Sequence, residues 1–238
     1  FGLAIRGQYA ADQDIQTCFE ELITECKAAE DLGFNSITKT SHYSTAPFQA
    51  FQQFPILARL SAETSRVRLN AGIILLSLHK PLDIAEQLAT IDIMSGGRFD
   101  WGVGRGYPGH EFDSFGQQIE SSPLVFREQL EIVLRAWTGK RFSYDGEFFQ
   151  IPEIECLPTP VQDPHPPIWI TALSPATLEW AAQNDYPMLT DPFSPTHRIE
   201  KNRTVYFEAG QAAGVDSRRH ELPVLRQEGV EFVHQAQR

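Results

Sequence analysis

Alternating and periodic apolar positions divide the first hundred residues into repeated strand–helix units. Strand-like segments start at Gly2, Phe34, Val67 and Arg98, at spacings of 32, 33 and 31 residues. Between them, apolar residues recur close to the helical period of 3.6 residues. A strand plus a helix, repeated at a fixed interval, is typical of an α/β protein with a parallel sheet.

Glycine and proline mark where the helices of these units begin and end. Gly33 follows the first helix as a left-handed cap, and Pro81 suits the first turn of the third helix. The pattern predicts helices at Asp14–Leu32, Phe54–Thr64 and Pro81–Met94, and strands at Phe34–Thr40 and Val67–Leu76.

The regular spacing ends after the strand that starts at Arg98. The next clear parallel strand starts 70 residues later, at Ile168, which predicts an insertion over about residues 107–166. The insertion contains a predicted helix at Pro123–Gly139 and a hairpin at Phe142–Ile151 that turns at Asp145-Gly146. Beyond it we predict a helix at Pro175–Asn184, a strand at Pro187–Asp191, a helix at His197–Gly214 and a strand at Leu222–Gln227.

The segment Gly2–Gln8 after the first strand lacks the G-x-G-x-x-G pattern of dinucleotide-binding sheets. A single-domain (β/α)₈ TIM barrel over residues 1–238 is therefore favoured over an open sheet. Such barrels usually have about 250 residues, and the insertion uses a large share of this chain. We count about seven strands and expect further segments near the C-terminus, with a gap between Gln227 and Glu228.

Composition narrows the function classes. The chain has 238 residues, 42% of them hydrophobic, and a net charge of -11, which disfavours binding to nucleic acid or to anionic membranes. No apolar run is as long as a membrane span. Three cysteines without a C-x-x-C pattern favour a reducing cytoplasm. The histidines lack H-x-x-x-H spacing and there is no G-x-S-x-G, so we expect neither a metal site nor a serine hydrolase.

Arg105 comes at the C-terminal end of a predicted buried strand, between Gly104 and Gly106. Glycines let the backbone approach a ligand, and the guanidinium offers a planar set of donors that suits a phosphate. The alternative is that Arg105 forms an ordinary ion pair at the protein surface. Ser174 precedes Pro175 at a helix start, where free N–H groups can bind an anion, with Thr177 in the same turn. The alternative is that Ser174 only caps its own helix.

The run from Ser95 to Gly106, followed by Glu111 to Gly116, is similar to a pattern of bacterial luciferase-like flavin-dependent monooxygenases. That pattern is roughly S-G-G-R-x-x-x-G-V-G-R-G and then E-F-x-x-F-G. The similarity continues through residues 33–43 and 166–182 and covers about residues 2–215. It implies an enzyme that uses reduced FMN and dioxygen to oxygenate a small organic substrate and receives its reduced FMN from a separate flavin reductase.

The resemblance also assigns positions to the cofactor and to catalysis. The positions that match the family's contacts with the FMN phosphate are Arg105, the backbone of Tyr107, Ser174 and Thr177. Asn70 and Leu75 belong to the third predicted strand, whose C-terminal end would face the ligand in a barrel, and are further candidates for cofactor binding. His42 takes the place of the family's catalytic-loop histidine as general acid or base, although Ser41-His42-Tyr43 replaces the usual Glu-His-His. Glu111 matches an acidic position near the flavin ring. A structural hydrogen-bonding histidine and a solvated loop carboxylate are the alternatives. His79 lies in a loop where relatives often have histidine or arginine.

Two other functions fit the same resemblance. One is hydride transfer with a deazaflavin on the same fold, and the other is a non-catalytic flavin-binding subunit. Aromatic residues that are candidates for the substrate pocket are Tyr9, Tyr43, Phe48 and Trp169.

We also expect a homodimer that pairs through the second and third helices. The expected interface residues are Phe54, Leu57, Ala58 and Ser61 on one helix and Ala85, Leu88, Ala89 and Asp92 on the other. The alternative is that the same faces pack inside the barrel.

Overall fold

A computed structural model of the chain describes residues 1–106, 109–190 and 194–220. Two compact units divide the chain, residues 1–168 and residues 169–238. Tyr107 and the predicted strand at Leu222–Gln227 lie outside the described residues.

Four parallel strands form the centre of the first unit. The elements of this unit, in chain order, are β1 (Gly2–Ile5), β2 (Gln8–Ala10), α1 (Ile15–Asp31), β3 (Ser36–Lys39), β4 (Phe48–Ala50), α2 (Gln53–Glu63), β5 (Arg68–Leu75), α3 (Pro81–Met94), β6 (Phe99–Gly104), α4 (His110–Ser114), α5 (Ser122–Ala136), β7 (Phe142–Asp145) and β8 (Gln150–Ile154). Strands β1, β3, β5 and β6 pair in that order, each parallel to the next. The predicted strand–helix units are confirmed here, with ends that differ by a few residues.

Burial explains why these strands have few polar positions. All six residues of β6 are buried, and Leu69, Ile74, Phe99, Trp101 and Val103 are fully buried at 0% exposure. A parallel strand that is covered on both faces needs a nearly continuous apolar run. The register between β5 and β6 shifts between residues 71 and 74.

Three short elements were not predicted. Strands β2 and β4 pair antiparallel, with Gln8 opposite Ala50 and Ala10 opposite Phe48. Helix α4 has only five residues. Elements this short span too few positions for a hydrophobic period to appear. The predicted hairpin is confirmed as β7 and β8, with Tyr144 opposite Ile151. Its turn spans residues 146–149 instead of Asp145-Gly146, because Asp145 still pairs with Gln150.

Residues 169–220 contain elements of the second unit. They are β9 (Ile168–Thr171), whose first residue belongs to the first unit, α6 (Pro175–Gln183), β10 (Met188–Leu189) and α7 (Thr196–Ala212). Strands β9 and β10 are parallel. The described residues thus show a parallel α/β architecture, while the closed eight-stranded barrel stays a prediction.

The carboxylate of Glu30, near the end of α1, accepts hydrogen bonds from three successive backbone amides. The distances are 2.9 Å from the amide of Ser65, 2.8 Å from that of Arg66 and 2.8 Å from that of Val67. Partial burial opposes ionisation of Glu30, but these hydrogen bonds outweigh it and lower its pKa to about 2. Glu30 therefore fixes the chain just before β5.

Two other helical carboxylates hold distant loops in the same way. Asp92 on α3 is fully buried and accepts from the amides of Val161 at 2.8 Å and Gln162 at 3.1 Å. Glu128 on α5 accepts from the three amides of residues 147–149 in the hairpin turn. These bonds fix the crossover segment and the hairpin to the helices.

Six of the eight residues expected on the dimer faces are buried within the chain, whereas Phe54 and Ala58 are half-buried. Leu57, Ala85, Leu88, Ala89 and Asp92 are 0% exposed, and Ser61 is 8% exposed. Assigning these residues to an intermolecular interface was wrong, because they pack against their own chain and leave no surface for a second copy. The homodimer itself stays a prediction.

All three cysteines, Cys18, Cys26 and Cys156, are free and buried. Among the described residues, no helix is long and apolar enough to cross a membrane.

Replacing Glu30 with glutamine should lower the free energy of unfolding by about 2 kcal/mol at pH 7, because a charged acceptor of several amides is lost. The ordinary pKa of Glu30 is near 4.5 and its folded pKa is about 2. Its contribution is therefore complete above pH 4.5 and disappears as the pH falls toward 2. Urea unfolding of both proteins between pH 7 and 3 measures this. Glu25→Gln, on an exposed position of α1, is the control, and a difference that stays constant with pH would contradict the assignment.

Candidate functional site

The chemically reactive side chains of the first unit gather where its parallel strands end. Because β1, β3, β5 and β6 are parallel, their C-terminal ends meet at one edge of the sheet. The loop after β3 carries His42 and Tyr43, the turn after β5 leads to His79, and β6 leads to Arg105. In open α/β sheets and barrels, ligands bind at this edge.

His42 and Glu111 lie next to each other although they are distant in the sequence. Tyr43, which directly follows His42, is 68 positions before Glu111. The Nδ1 atom of His42 is 3.8 Å from Oε1 of Glu111. The imidazole is about half exposed, whereas the Glu111 side chain is 13% exposed. The histidine is thus open to a ligand, while the carboxylate is largely covered behind it.

Glu111 also fixes the backbone of the histidine loop. Its Oε1 accepts a hydrogen bond from the amide of Tyr43 at 2.8 Å. The neighbouring His110, to which the sequence assigned nothing, has its Nε2 atom 3.1 Å from the carbonyl oxygen of Tyr43. Helix α4 therefore contacts both the backbone N–H and the backbone carbonyl of Tyr43, which limits the positions that the neighbouring His42 can take.

Partial burial is the main reason that the pKa of His42 lies below its ordinary value of 6.5. Glu111 opposes this shift, while the positive charges of Lys39 and Arg6 and the nearby His110 add to it. The imidazole is thus neutral at pH 7 and can accept a proton. The carboxylate of Glu111 can then stabilise the imidazolium that forms.

Tyr43 and His79 form a second pair behind His42. The hydroxyl of Tyr43 is 3.2 Å from Nε2 of His79. Burial raises the pKa of Tyr43 and lowers the pKa of His79, so both are neutral at pH 7. Tyr43 also packs on an apolar cluster formed by Leu75, Leu78 and Phe112. Leu75 is only 6% exposed, so its side chain serves this cluster.

Arg105 directly follows β6 and is exposed. Its guanidinium has a long contact of 3.5 Å with the hydroxyl of Ser122, which itself donates to the carbonyl of Ile119 at 2.7 Å. Gly106 has a φ of +98°, and a Cβ there would lie 2.9 Å from the ring of Phe112. Only glycine fits at that position, so the backbone beside Arg105 lies close to α4.

Asn70 lies within β5, not at its end. Its Nδ2 donates to the hydroxyl of Thr38 at 3.3 Å, while its buried Oδ1 has no hydrogen-bond partner among the described residues. An unpaired buried carbonyl is costly and can accept a hydrogen bond from a ligand. This is the feature of Asn70 that fits its assignment to ligand binding.

Ser174 and Thr177 come together at the start of α6, in the second unit. Ser174 is the N-cap, and its hydroxyl accepts from the amide of Thr177 at 3.3 Å. The two hydroxyl oxygens are 2.9 Å apart. Capping is thus confirmed, and both hydroxyls also lie where a helix N-terminus attracts an anion. The Tyr107 position lies outside the described residues.

Two buried residues of this edge were missed by sequence analysis, Lys39 at the end of β3 and Gln53 at the start of α2. A lysine inside an otherwise apolar or small-residue strand was the signal that could have identified the first. No group of three or more histidine, cysteine or acidic side chains able to hold a metal occurs within residues 1–106, 109–190 and 194–220.

A family model described as luciferase-like monooxygenase matches residues 1–227. The oxygenase component of the flavin-dependent trigonelline monooxygenase of Acinetobacter baylyi is 29% identical over 229 residues. This alignment covers 95% of the chain but only 63% of that relative, so the chain spans less than two thirds of its length.

Solved structures show the same relationship. Monooxygenase RslO1 from Streptomyces bottropensis is 31% identical, with a TM-score of 0.83 over 90% of this chain and 67% of that one. The oxygenating constituent of 3,6-diketocamphane monooxygenase from Pseudomonas putida, in complex with FMN, has a TM-score of 0.79 at 19% identity. That alignment covers 90% of this chain and 63% of the other, and it supports the fold alone.

Replacing Glu111 with glutamine should lower the pKa of His42 further, because the carboxylate in the wild type favours the imidazolium. An NMR titration of the histidine ring protons measures this directly. Asp113→Asn, on an exposed position of the same short helix, removes an equal charge as a control. An unchanged or higher pKa of His42 in the Glu111 variant would contradict the pairing.

Proposed function

Because the chain belongs to the luciferase-like monooxygenase family, we propose that it uses reduced FMN and dioxygen to oxygenate a small organic substrate. The observation that carries the proposal is the half-exposed His42, which lies against Glu111 at the sheet edge where Arg105 also ends a strand. His42, which can move a proton, and Arg105, which can bind a phosphate, thus lie at the same edge of one sheet.

The donor set fits a flavin mononucleotide. Among the described residues, the exposed guanidinium of Arg105 has one polar contact, 3.5 Å long, and no ion pair to break when it binds a phosphate, and a dianion suits its planar donors. The hydroxyls of Ser174 and Thr177, at the N-terminal end of α6 where the helix dipole favours an anion, supply a second set of donors. The family resemblance assigns the FMN phosphate to the positions of these three side chains and of the Tyr107 backbone, and we retain that assignment as part of the proposal. When bound, FMN would supply the chemistry that activates dioxygen.

The protein's own part is to move one proton and to keep the reacting groups in place. Neutral His42 can take a proton from the substrate and return it at the same ring nitrogen. Glu111 stabilises the charged imidazole in between and orients the loop through the amide of Tyr43. The cluster around Leu75 and Phe112 keeps water from the inner side of this loop.

The family description and the names of the relatives favour a monooxygenase over deazaflavin-dependent hydride transfer. The His42–Glu111 contact favours an enzyme over a non-catalytic flavin-binding subunit. One relative is named as an oxygenase component, which supports a separate reductase as the source of reduced FMN. We further propose a cytoplasmic location, in line with three free cysteines.

Arg105→Ala should weaken FMN binding by about 30-fold or more, because a charge-assisted contact with a phosphate is worth roughly 2 kcal/mol. Fluorescence titration with FMN measures the dissociation constant. Riboflavin, which lacks the phosphate, should bind the variant and the wild type equally, and Arg141→Ala in the exposed hairpin controls for net charge. Equal affinity for FMN in the Arg105 variant would exclude this arginine from the phosphate site.

His42→Ala should leave FMN affinity nearly unchanged and reduce product formation by about 100-fold or more, as expected for loss of a general acid–base group. Mass spectrometry of a mixed organic panel, supplied with reduced FMN and dioxygen, identifies and quantifies the product. His197→Ala, an exposed position on α7, is the control. Unchanged turnover would leave His42 with a structural role only.

A further inference from the structure

Lys39, the last residue of β3, carries a buried charge three positions before His42. Its side chain is 1% exposed. Its Nζ donates hydrogen bonds to the carbonyl oxygens of Arg6 and Thr40, each at 2.8 Å. Arg6 follows β1 and Thr40 follows β3, so one ammonium group joins the ends of two neighbouring strands.

Gly7 leaves space for the buried side chain of Lys39. Gly7 has a φ of +58°, and a Cβ there would lie 3.3 Å from Cε and 3.6 Å from Nζ of Lys39. Within the described part of the chain, no carboxylate lies within ion-pair distance of the ammonium group. Burial lowers the pKa of Lys39 to about 8, so it is mostly charged at pH 7. The partners of this charge among the described residues are backbone carbonyls, which do not neutralise it, so its field acts on nearby groups.

Gln53 extends the same connection to the third strand. This side chain is 3% exposed, and its Nε2 donates to the carbonyl of Lys39 at 2.5 Å and to that of Ile73 at 3.5 Å. Ile73 lies within the register shift of β5, where its carbonyl is free to accept a side-chain donor. Lys39 and Gln53 together connect the ends of β1 and β3 to β5, at the point where the loop that carries His42 begins.

We propose that Lys39 is a positioning residue for His42, which fixes the start of the Thr40–Tyr43 loop and favours the neutral imidazole through its buried positive charge. The catalytic importance of this effect rests on the proposed function, in which neutral His42 accepts a proton. The effect on His42 itself does not depend on any bound cofactor.

The charged and titratable groups that face His42 come from three elements. Glu111 and His110 lie on α4, Arg6 follows β1, and Lys39 ends β3. Of these, only Glu111 favours the imidazolium. Removal of the Lys39 charge should consequently raise the pKa of His42.

The test is an NMR titration of the histidine rings in the full chain without cofactor, with the His42 signals assigned by their loss in His42→Ala. Lys39→Met keeps the length of the side chain without its charge and should raise the pKa of His42 by about 0.5 or more. Lys39→Arg retains the charge and should leave this pKa close to that of the wild type. Lys27→Met, which removes an exposed lysine of α1, controls for net charge.

The wild-type titration is a second, independent measurement. Lys39 loses its proton near pH 8, so the His42 signals should show a second, smaller inflection there that is absent in Lys39→Arg. A folded Lys39→Met protein with an unchanged His42 pKa would overturn the proposal. Should that variant not fold, a wild-type titration with a single inflection overturns it.

The outcomes also separate this proposal from the proposed function. A raised His42 pKa in Lys39→Met, together with full turnover in His42→Ala, would support the positioning role and contradict the catalytic one. An unchanged pKa, together with lost turnover in His42→Ala, would do the reverse.

Discussion

Burial of the β5–β6 pair on both faces is the constraint on which the rest of the first unit depends. Every residue of β6 is buried, so other parts of the chain must cover this strand on each side. Each polar group that this covering removes from water must find a partner. At the amino ends of the two strands, Arg68 pairs with the buried Asp100, while Gln162 bonds both to Arg68 and to Asp92. This network fixes the returning crossover segment to the bottom of the sheet.

The opposite edge of the same sheet has different polar chemistry. Its buried groups join strand ends to each other through backbone carbonyls, whereas His42 and Arg105 extend toward solvent. The amino edge is thus closed by an ion pair and side-chain hydrogen bonds that stabilise the fold. At the carboxyl edge, buried hydrogen bonds fix the strand ends, while His42 and Arg105 are accessible to solvent. A site that holds a ligand in one geometry requires both properties.

The protonation state of His42 follows from a balance of unequal effects. Partial burial disfavours its charged form, Glu111 favours it, and Lys39 with Arg6 disfavours it again. The carboxylate lies 3.8 Å from the ring, beyond a strong hydrogen bond, and is partly occupied by the amide of Tyr43. It therefore supports the imidazolium without making it the resting form, so the histidine can act as a base and still be stabilised once it is charged.

The sequence by itself determined the strand–helix rhythm, the position of Arg105 after a buried strand and the cap at Ser174, because hydrophobic periods and caps are local signals. The sequence did not distinguish a helix face that packs inside the chain from one that contacts a second copy. Leu57 and Leu88 were therefore assigned to a dimer interface, although both are buried within the chain. Only the tertiary structure decided which distant residues meet. The contact of His42 with Glu111, and the bonds from buried Lys39 to two strand ends, depend on how parallel strands align, and no local pattern of residues encodes that alignment.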